Sequence, residues 1–568
     1  MSESGVDYRE LLLNPIWVKS ARSRLRVKHI MSWGLVAFTL TAFISVGVYL
    51  TATENQGASP ATAAKLMIVP IIFIQGIILM LLGTGAVASQ LSIEREKGLL
   101  DYVRMTPLSP TAKIFGYLFG LPVREYFLFA LTLPFLGFAV VVGGVSPLRM
   151  AHFYLVFFSS VLLYHMTGLV AGMASSKPRQ AAMMSHGMVV LLYLILPQLS
   201  RFGMTFFEFL TVRPTFYAMV SQELASSDPR FRAVAEHQFS GLNQSGSVSF
   251  FDMHIHSTLF SVMVQMFLLV TLYQVIRRKW RDGFSHPLSK IDGLLFYLGV
   301  LVLVMGSLWP AIGDRVMLRH LIGQFGGTMP PESFLFAANV LLLVVCGATA
   351  LLVINLITPT RYSQLRGLRR ARKRGLGHVP LNDDGASSLR VTIAIAVLTS
   401  LAYLLLLRHA DASGQYEFRL GGFWPLAAPA LYFSAVVLFM QGVRERYSPR
   451  AFGVSIFMLW MVPFFVAMIL MAAFQAEVSA SYVSLLCPPV GIAILLADFF
   501  EHAAGRTGIH FWGGQARENL GVMTLAGLAF YGSLAVVFQS RLRRFRHRLR
   551  ESEIHGSIGV VGEPADGA

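Results

Sequence analysis

Twelve stretches of this sequence stay apolar over the length that a lipid bilayer requires. They fall at about 30 to 51, 66 to 90, 112 to 143, 150 to 173, 183 to 200 and 257 to 276, and again near 291 to 312, 334 to 357, 390 to 407, 422 to 441, 451 to 473 and 519 to 540. A hydrocarbon core about 30 Å thick takes about 20 residues of helix, and within it every backbone N–H and C=O must find a partner inside the chain. The predicted fold is therefore an all-α integral membrane protein with twelve transmembrane helices. The composition agrees, since 568 residues that are 55% apolar and 14% charged, with a mean hydropathy of +0.59, exceed what one water-soluble core accommodates. The first thirty residues contain no short apolar core with a small-residue cleavage site, so the first span is expected to serve as its own insertion signal.

A net charge of +17 raises the question of nucleic acid. Most Lys and Arg, however, lie in the connections on one side of the spans, the pattern that sets orientation and places both termini in the cytoplasm. No basic groove interleaved with aromatics occurs, so nucleic acid is excluded as a partner, and the lipid bilayer is the environment the charge serves. Cys346 and Cys487 sit in apolar surroundings without CxxC spacing, which argues against a metal or disulfide framework. Asp252, His254 and His256 stand at i, i+2, i+4 and do not share a helical face, so no metal is expected there. His165 and His186 read as packing groups in apolar helices.

Residues 1 to 13 look unstructured. Asn14-Pro15 reads as cap and first turn of an amphipathic helix to about His29, lying on the inner headgroups. Together these form a first region, 1–29. Residues 30–283 make a six-span half and 284–550 a second, degenerate six-span half, followed by a disordered tail at 551–568. In the long third run, Pro122 and Pro134 predict a kinked helix. Each half has a long outer connection with two short apolar segments divided by proline: Met204 to Leu210 and Pro214 to Val220 in the first, Tyr482 to Cys487 and Val490 to Leu496 around Pro488-Pro489 in the second. Segments this short suit re-entrant hairpins, and paired interruptions at matching places point to a transport path. Both halves begin on the inner side, so the repeat is parallel.

The most informative polar stretch is the charged turn at 93–109, after the second run. Gly98 breaks the chain there. Leu99, Tyr102 and Val103, at i, i+3, i+4, predict a short amphipathic helix with Asp101 and Arg104 facing elsewhere, and either Thr106-Pro107 or Ser109-Pro110 supplies the cap and first-turn proline of the next helix. Glu94-Arg95-Glu96-Lys97-Gly98, then Thr106-Pro107-Leu108-Ser109 and Lys113-Ile114-Phe115-Gly116, resembles the signature of the type-two ATP-binding-cassette (ABC) exporter permeases, with Leu99 where the family has Thr. The resemblance implies that this segment is a coupling helix docking on a separate ABC ATPase, that Glu94, Glu96, Gly98, Leu99 and Tyr102 form the joint, and that the chain sits in the bacterial cytoplasmic (inner) membrane. The second half carries only a basic run from Arg361 to Arg374 at this place. It is thus open whether one chain is the whole permease or pairs with a second permease copy.

No Gly-x-x-x-x-Gly-Lys-Ser/Thr phosphate loop is present, so the chain itself is not expected to hydrolyse nucleotide or to bind a cofactor. ATP and Mg would act on the nucleotide-binding subunits. Arg124 and Glu125 fall inside the third run, where a charge costs about 2.5 to 3.5 kcal/mol at midplane. They fit structural pairing or a wet path. Together with Glu208, Pro214, Pro488 and Pro489 they are the residues assigned to a translocation path for an unidentified amphipathic substrate. The expected function is the permease subunit of an ATP-driven exporter, and not an enzyme. The alternatives are a non-transporting membrane subunit that relays ATPase motion, which calls for a sizeable external domain, and an ion-coupled carrier, which calls for charges deep in several spans.

Overall fold

A computed structural model of the chain describes residues 14–225, 246–323, 330–376, 378–381, 383–416, 423–504 and 519–554. The expectations for residues 1–13 and for 555–568 lie outside the described residues. Among the described residues the protein is helical apart from one two-stranded hairpin, and twelve helices are long and apolar enough to cross a membrane. It is an all-α integral membrane protein. The chain divides into two compact units, Met1–Phe284 and Ser285–Ala568.

The first unit opens with the helix Pro15–Arg24. Asn14 caps it, its side chain accepting from the Ile16 N–H. The helix stops at Arg24, short of the expected His29, because a new helix begins at Val27 and runs as the first span, Ile30–Asn55. The second span, Pro60–Glu96, is 37 residues long. At ~1.5 Å per residue it reaches about 55 Å, well past a 30 Å hydrocarbon core. The third run is broken twice, into Pro110–Gly120, Val123–Ala130 and Leu133–Gly143. The breaks fall at Leu121-Pro122 and at Leu131-Thr132, with Pro134 in the first turn after the second, where its missing N–H costs nothing. Spans Pro147–Ala174, Pro178–Phe202 and Ser257–Arg281 complete the unit.

The connection between the fifth and sixth spans folds as a short 3₁₀ helix, Thr205–Leu210, and a helix, Arg213–Ala225, both largely buried. Then come β1, Ser247–Phe250, and β2, Met253–His256, an antiparallel pair. The hairpin was not anticipated from the sequence. Asp252 is in its turn, and the His256 side chain accepts from the Thr258 N–H to cap the sixth span. No group of three His, Cys, Asp or Glu able to hold a metal exists among the described residues.

The second unit has spans Lys290–Gly313, Pro331–Ile357, Leu389–Ser413, Leu426–Arg446, Pro449–Phe474 and Leu520–Leu549. Its last helix continues to Ile554, four residues into the expected tail. Glu477–Ser484 and Pro488–Phe500 meet at 114°. Pro488 and Pro489 supply no N–H to carbonyls in the turn before them, and two buried tyrosines help to meet that deficit: Tyr432 donates to Leu485 O at 2.8 Å and Tyr531 to Leu486 O at 2.6 Å.

Candidate functional site

The charged turn in the first unit is set on a packed platform. Gly98 takes φ +71°, the left-handed conformation that glycine adopts without strain. It ends one helix at Glu96 and starts another, Leu99–Met105. Leu100 is 3% exposed and joins a core with Ile16, Leu91, Ile114, Tyr117 and Trp280, against which Val103 also packs. Leu99, Tyr102 and Met105 point outward, with Tyr102 67% and Met105 79% exposed. The amphipathic face is thus shifted by one residue from the expected one: Val103 belongs with Leu100 on the inner side, and Leu99 and Tyr102 are the outer side. Lys113 Nζ donates to the carbonyls of Arg104 and Thr106 at 3.1 and 3.2 Å, closing the far end of the turn.

The two glutamates of the turn differ. Glu94 is 2.9 Å from Lys19 Nζ and also accepts from the Tyr117 hydroxyl, so it ties the Pro15–Arg24 helix to the third-run helix Pro110–Gly120. Asn14 Nδ2 strengthens this tie by donating to Ala112 O at 2.6 Å, and Gly116 and Gly120 let the two helices approach closely. Glu96 is exposed and makes no ion pair among the described residues. Arg124 and Glu125 belong to the same clasp. Glu125 is fully buried, 2.5 Å from Arg124 Nη2 and 3.5 Å from Arg24 Nη1, and Arg124 lies over the Trp33 ring at 5.7 Å.

The other feature is an apolar cavity of about 1170 Å³ in the same unit, open at its side, where the wall residues Phe43, Phe73 and Leu194 are exposed. It lies toward the end of the bundle opposite the turn, between the first, second and fifth spans, with Phe157, Val212 and Phe216 adding to its wall. Thr51, Gln56 and Tyr193 are the polar residues of an otherwise apolar lining. Three segments of π-helix, Thr51–Asn55, Ile77–Gly83 and Leu191–Ile195, all contribute wall residues. A π turn carries one extra residue, widens the helix and is frequent at functional sites.

None of the six residues assigned to a path lines this cavity. Arg124 and Glu125 are in the clasp just described. Pro214 begins the helix that supplies Phe216. Glu208, 8% exposed, lies beneath it, and burial pushes its carboxyl up to about 7 against the opposing pull of Arg213, Ser200 and Arg201. Pro488 and Pro489 are in the second unit, at the bend and against a void of about 20 Å³. Sequence reasoning missed the cavity and also Glu223, which is 6% exposed. Its carboxylate lies 3.1 Å from Arg149 and 3.5 Å from Lys65 and accepts from Ser146 N at 3.2 Å, holding the Arg213–Ala225 helix to the second and fourth spans.

The chain matches no family model, no curated protein and no solved structure.

Proposed function

We propose that this protein is the membrane permease of an ATP-driven ABC exporter and that a separate ATPase drives it through the charged turn. The observation that carries the reading is one helix with two working ends. The second span supplies Leu66 to Leu81 to the wall of the apolar cavity and ends at Glu96, beside a short helix that presents Leu99, Tyr102 and Met105 to the outside. Exposed aromatic and apolar side chains on a firmly seated base are what a partner's groove takes as anchors. A push on them passes into the span through Leu100 and the core beneath it. The cavity admits an apolar or amphipathic cargo, because its walls offer few hydrogen bonds to a polar one.

In this reading the turn faces the cytoplasm, ATP and Mg bind the partner, and the tyrosine face replaces the glutamates as the main contact, since Glu94 is engaged internally. The test is co-expression with an ABC ATPase encoded beside this chain, followed by co-purification and transport in proteoliposomes. Leu99→Ala with Tyr102→Ala should abolish co-purification while leaving the chain folded. Undiminished ATPase binding and transport by the double variant would overturn the proposal.

A further inference from the structure

The second unit carries a helix of its own at the place where the first has the charged turn, with the opposite surface chemistry. Arg361–Lys373 follows the second span of its unit, as Leu99–Met105 follows the second span of the first. Between 358 and 381 the chain has seven Arg and Lys and no Asp or Glu, whereas the turn at 93–109 has three residues of each sign.

This basic helix is held from several sides. Thr360 caps it, accepting from the Ser363 N–H, and Gln364, Gly367 and Ala371 are buried along one face. Gly367 meets Gly385 so closely that a Cβ on Gly385 would stand 2.8 Å from the Gly367 Cα. Arg370 donates to Asp383 through Nε at 3.0 Å and Nη2 at 2.7 Å, and Lys290, the first residue of the seventh span, donates to the Asp383 carbonyl at 2.8 Å. Gln364 donates at 3.2 Å to Glu445, next to the end of the span Leu426–Arg446, and Arg361 lies 5.2 Å over the Phe545 ring near the end of the last span. In the first unit Leu100 and Val103 likewise pack with Trp280, next to the end of that unit's last span. Both helices thus lie across the ends of their spans.

That seating decides what faces outward. At about 100° per residue, Tyr362, Arg366, Arg369 and Lys373 form one stripe opposite Gln364, Gly367 and Ala371. Tyr362 is 65% exposed, and Arg366 lies over its ring at 5.7 Å. Neither Arg366 nor Lys373 makes an ion pair among the described residues. A helix that rests on lipid sinks an apolar side into the headgroup boundary. Here the side opposite the cations is packed on the protein, so the stripe points away from the span ends and into water.

We propose that the stripe at 362–373 docks an ATPase subunit through a groove rimmed with Asp and Glu. This rests on the reading of the chain as an ABC permease and adds an electrostatic joint in the second unit to the apolar one at Leu99, Tyr102 and Met105. Tyr362 is the anchor. Arg366, Arg369 and Lys373 meet the partner's carboxylates, which supplies specificity and fast association.

The test is titration of the purified full chain, in phosphatidylcholine nanodiscs, with the ABC ATPase encoded beside it. Wild-type affinity should fall roughly fivefold or more between about 50 and about 300 mM NaCl, because exposed charge pairs are screened. Arg366→Gln with Lys373→Gln should weaken binding about threefold to tenfold at the lower salt and remove most of the salt dependence, while amide exchange over 361–373 stays at the wild-type rate. Arg366→Lys with Lys373→Arg should bind like the wild type. Arg450→Gln, an exposed cation off the stripe, should change nothing. A double glutamine variant that matches the wild type at both salt concentrations removes this joint and leaves the one at Leu99 and Tyr102 standing, whereas a wild-type chain that binds no ATPase overturns both. Salt dependence that appears only when phosphatidylglycerol is added to the nanodisc assigns the stripe to the bilayer and equally refutes the proposal.

Discussion

Replacing Glu94 by alanine should release the Pro15–Arg24 helix far more than removing its partner Lys19. Lys19 is 59% exposed, and an ion pair so open to water contributes no more than about 1 kcal/mol. The Tyr117 hydroxyl is different, because Tyr117 is 1% exposed and loses its acceptor when Glu94 is truncated. An orphaned buried hydroxyl costs about 1–3 kcal/mol, so Glu94→Ala should cost about 2–3 kcal/mol in total. Glu94→Gln keeps an oxygen for Tyr117 and should cost no more than about 1 kcal/mol, as should Lys19→Ala. Amide hydrogen exchange over residues 15–24 reads these differences directly. Opening should rise roughly 30- to 150-fold in Glu94→Ala and about fivefold or less in the other two. If Glu94→Gln behaves like Glu94→Ala, or Glu94→Ala like Lys19→Ala, the hydroxyl is not the dominant partner and the assignment of Glu94 to the clasp fails.

Gly98→Ala puts a Cβ on a residue at φ +71° with nothing within 4 Å of it. The cost of about 1–2 kcal/mol is then backbone strain alone and should appear as faster exchange confined to residues 97–105. Gly47→Phe and Gly76→Phe project into the large cavity from positions where an added Cβ meets no neighbour. Thermal stability in detergent should hold while uptake of an apolar dye such as Nile red falls at least fivefold. For Glu208 the native carboxyl, near 7, lies above its unfolded value of about 4.5. Its contribution to stability is fully present below pH 4.5 and is lost as pH rises through 7. Exchange over residues 203–225, corrected for its intrinsic pH dependence, should therefore quicken from pH 6 to pH 8 in the wild type and not in Glu208→Gln.

What was legible in the sequence is what local chemistry decides. Asn14-Pro15 and Ser109-Pro110 pair a capping side chain with a ring that presets φ; the first starts a helix where expected, and the second is the one, of the two places expected at Thr106-Pro107 and Ser109-Pro110, at which the next helix begins. Pro488-Pro489 bends the chain because two successive residues offer no N–H. The side of the Leu99–Met105 helix that faces inward was not legible, since Leu99, Leu100, Tyr102 and Val103 are all apolar and only the neighbouring Trp280 and Ile114 discriminate among them. Glu125 drew attention through the cost of a buried charge, yet its partner Arg24 lies about a hundred positions away and no spacing rule connects them. The wide turns around the cavity leave no residue signature, because they consist of hydrogen bonds displaced by one residue.

Those wide turns have a mechanical consequence. A helix that stores one surplus residue can pass the surplus along its length, and whatever lies between the old and new positions rotates by about 100°. In the second span this would swing Met80 and Leu81 off the chamber wall and bring their neighbours on, with both ends of the rod staying where they are. Such a shift would change which side chains line the groove while the spans around it kept their places.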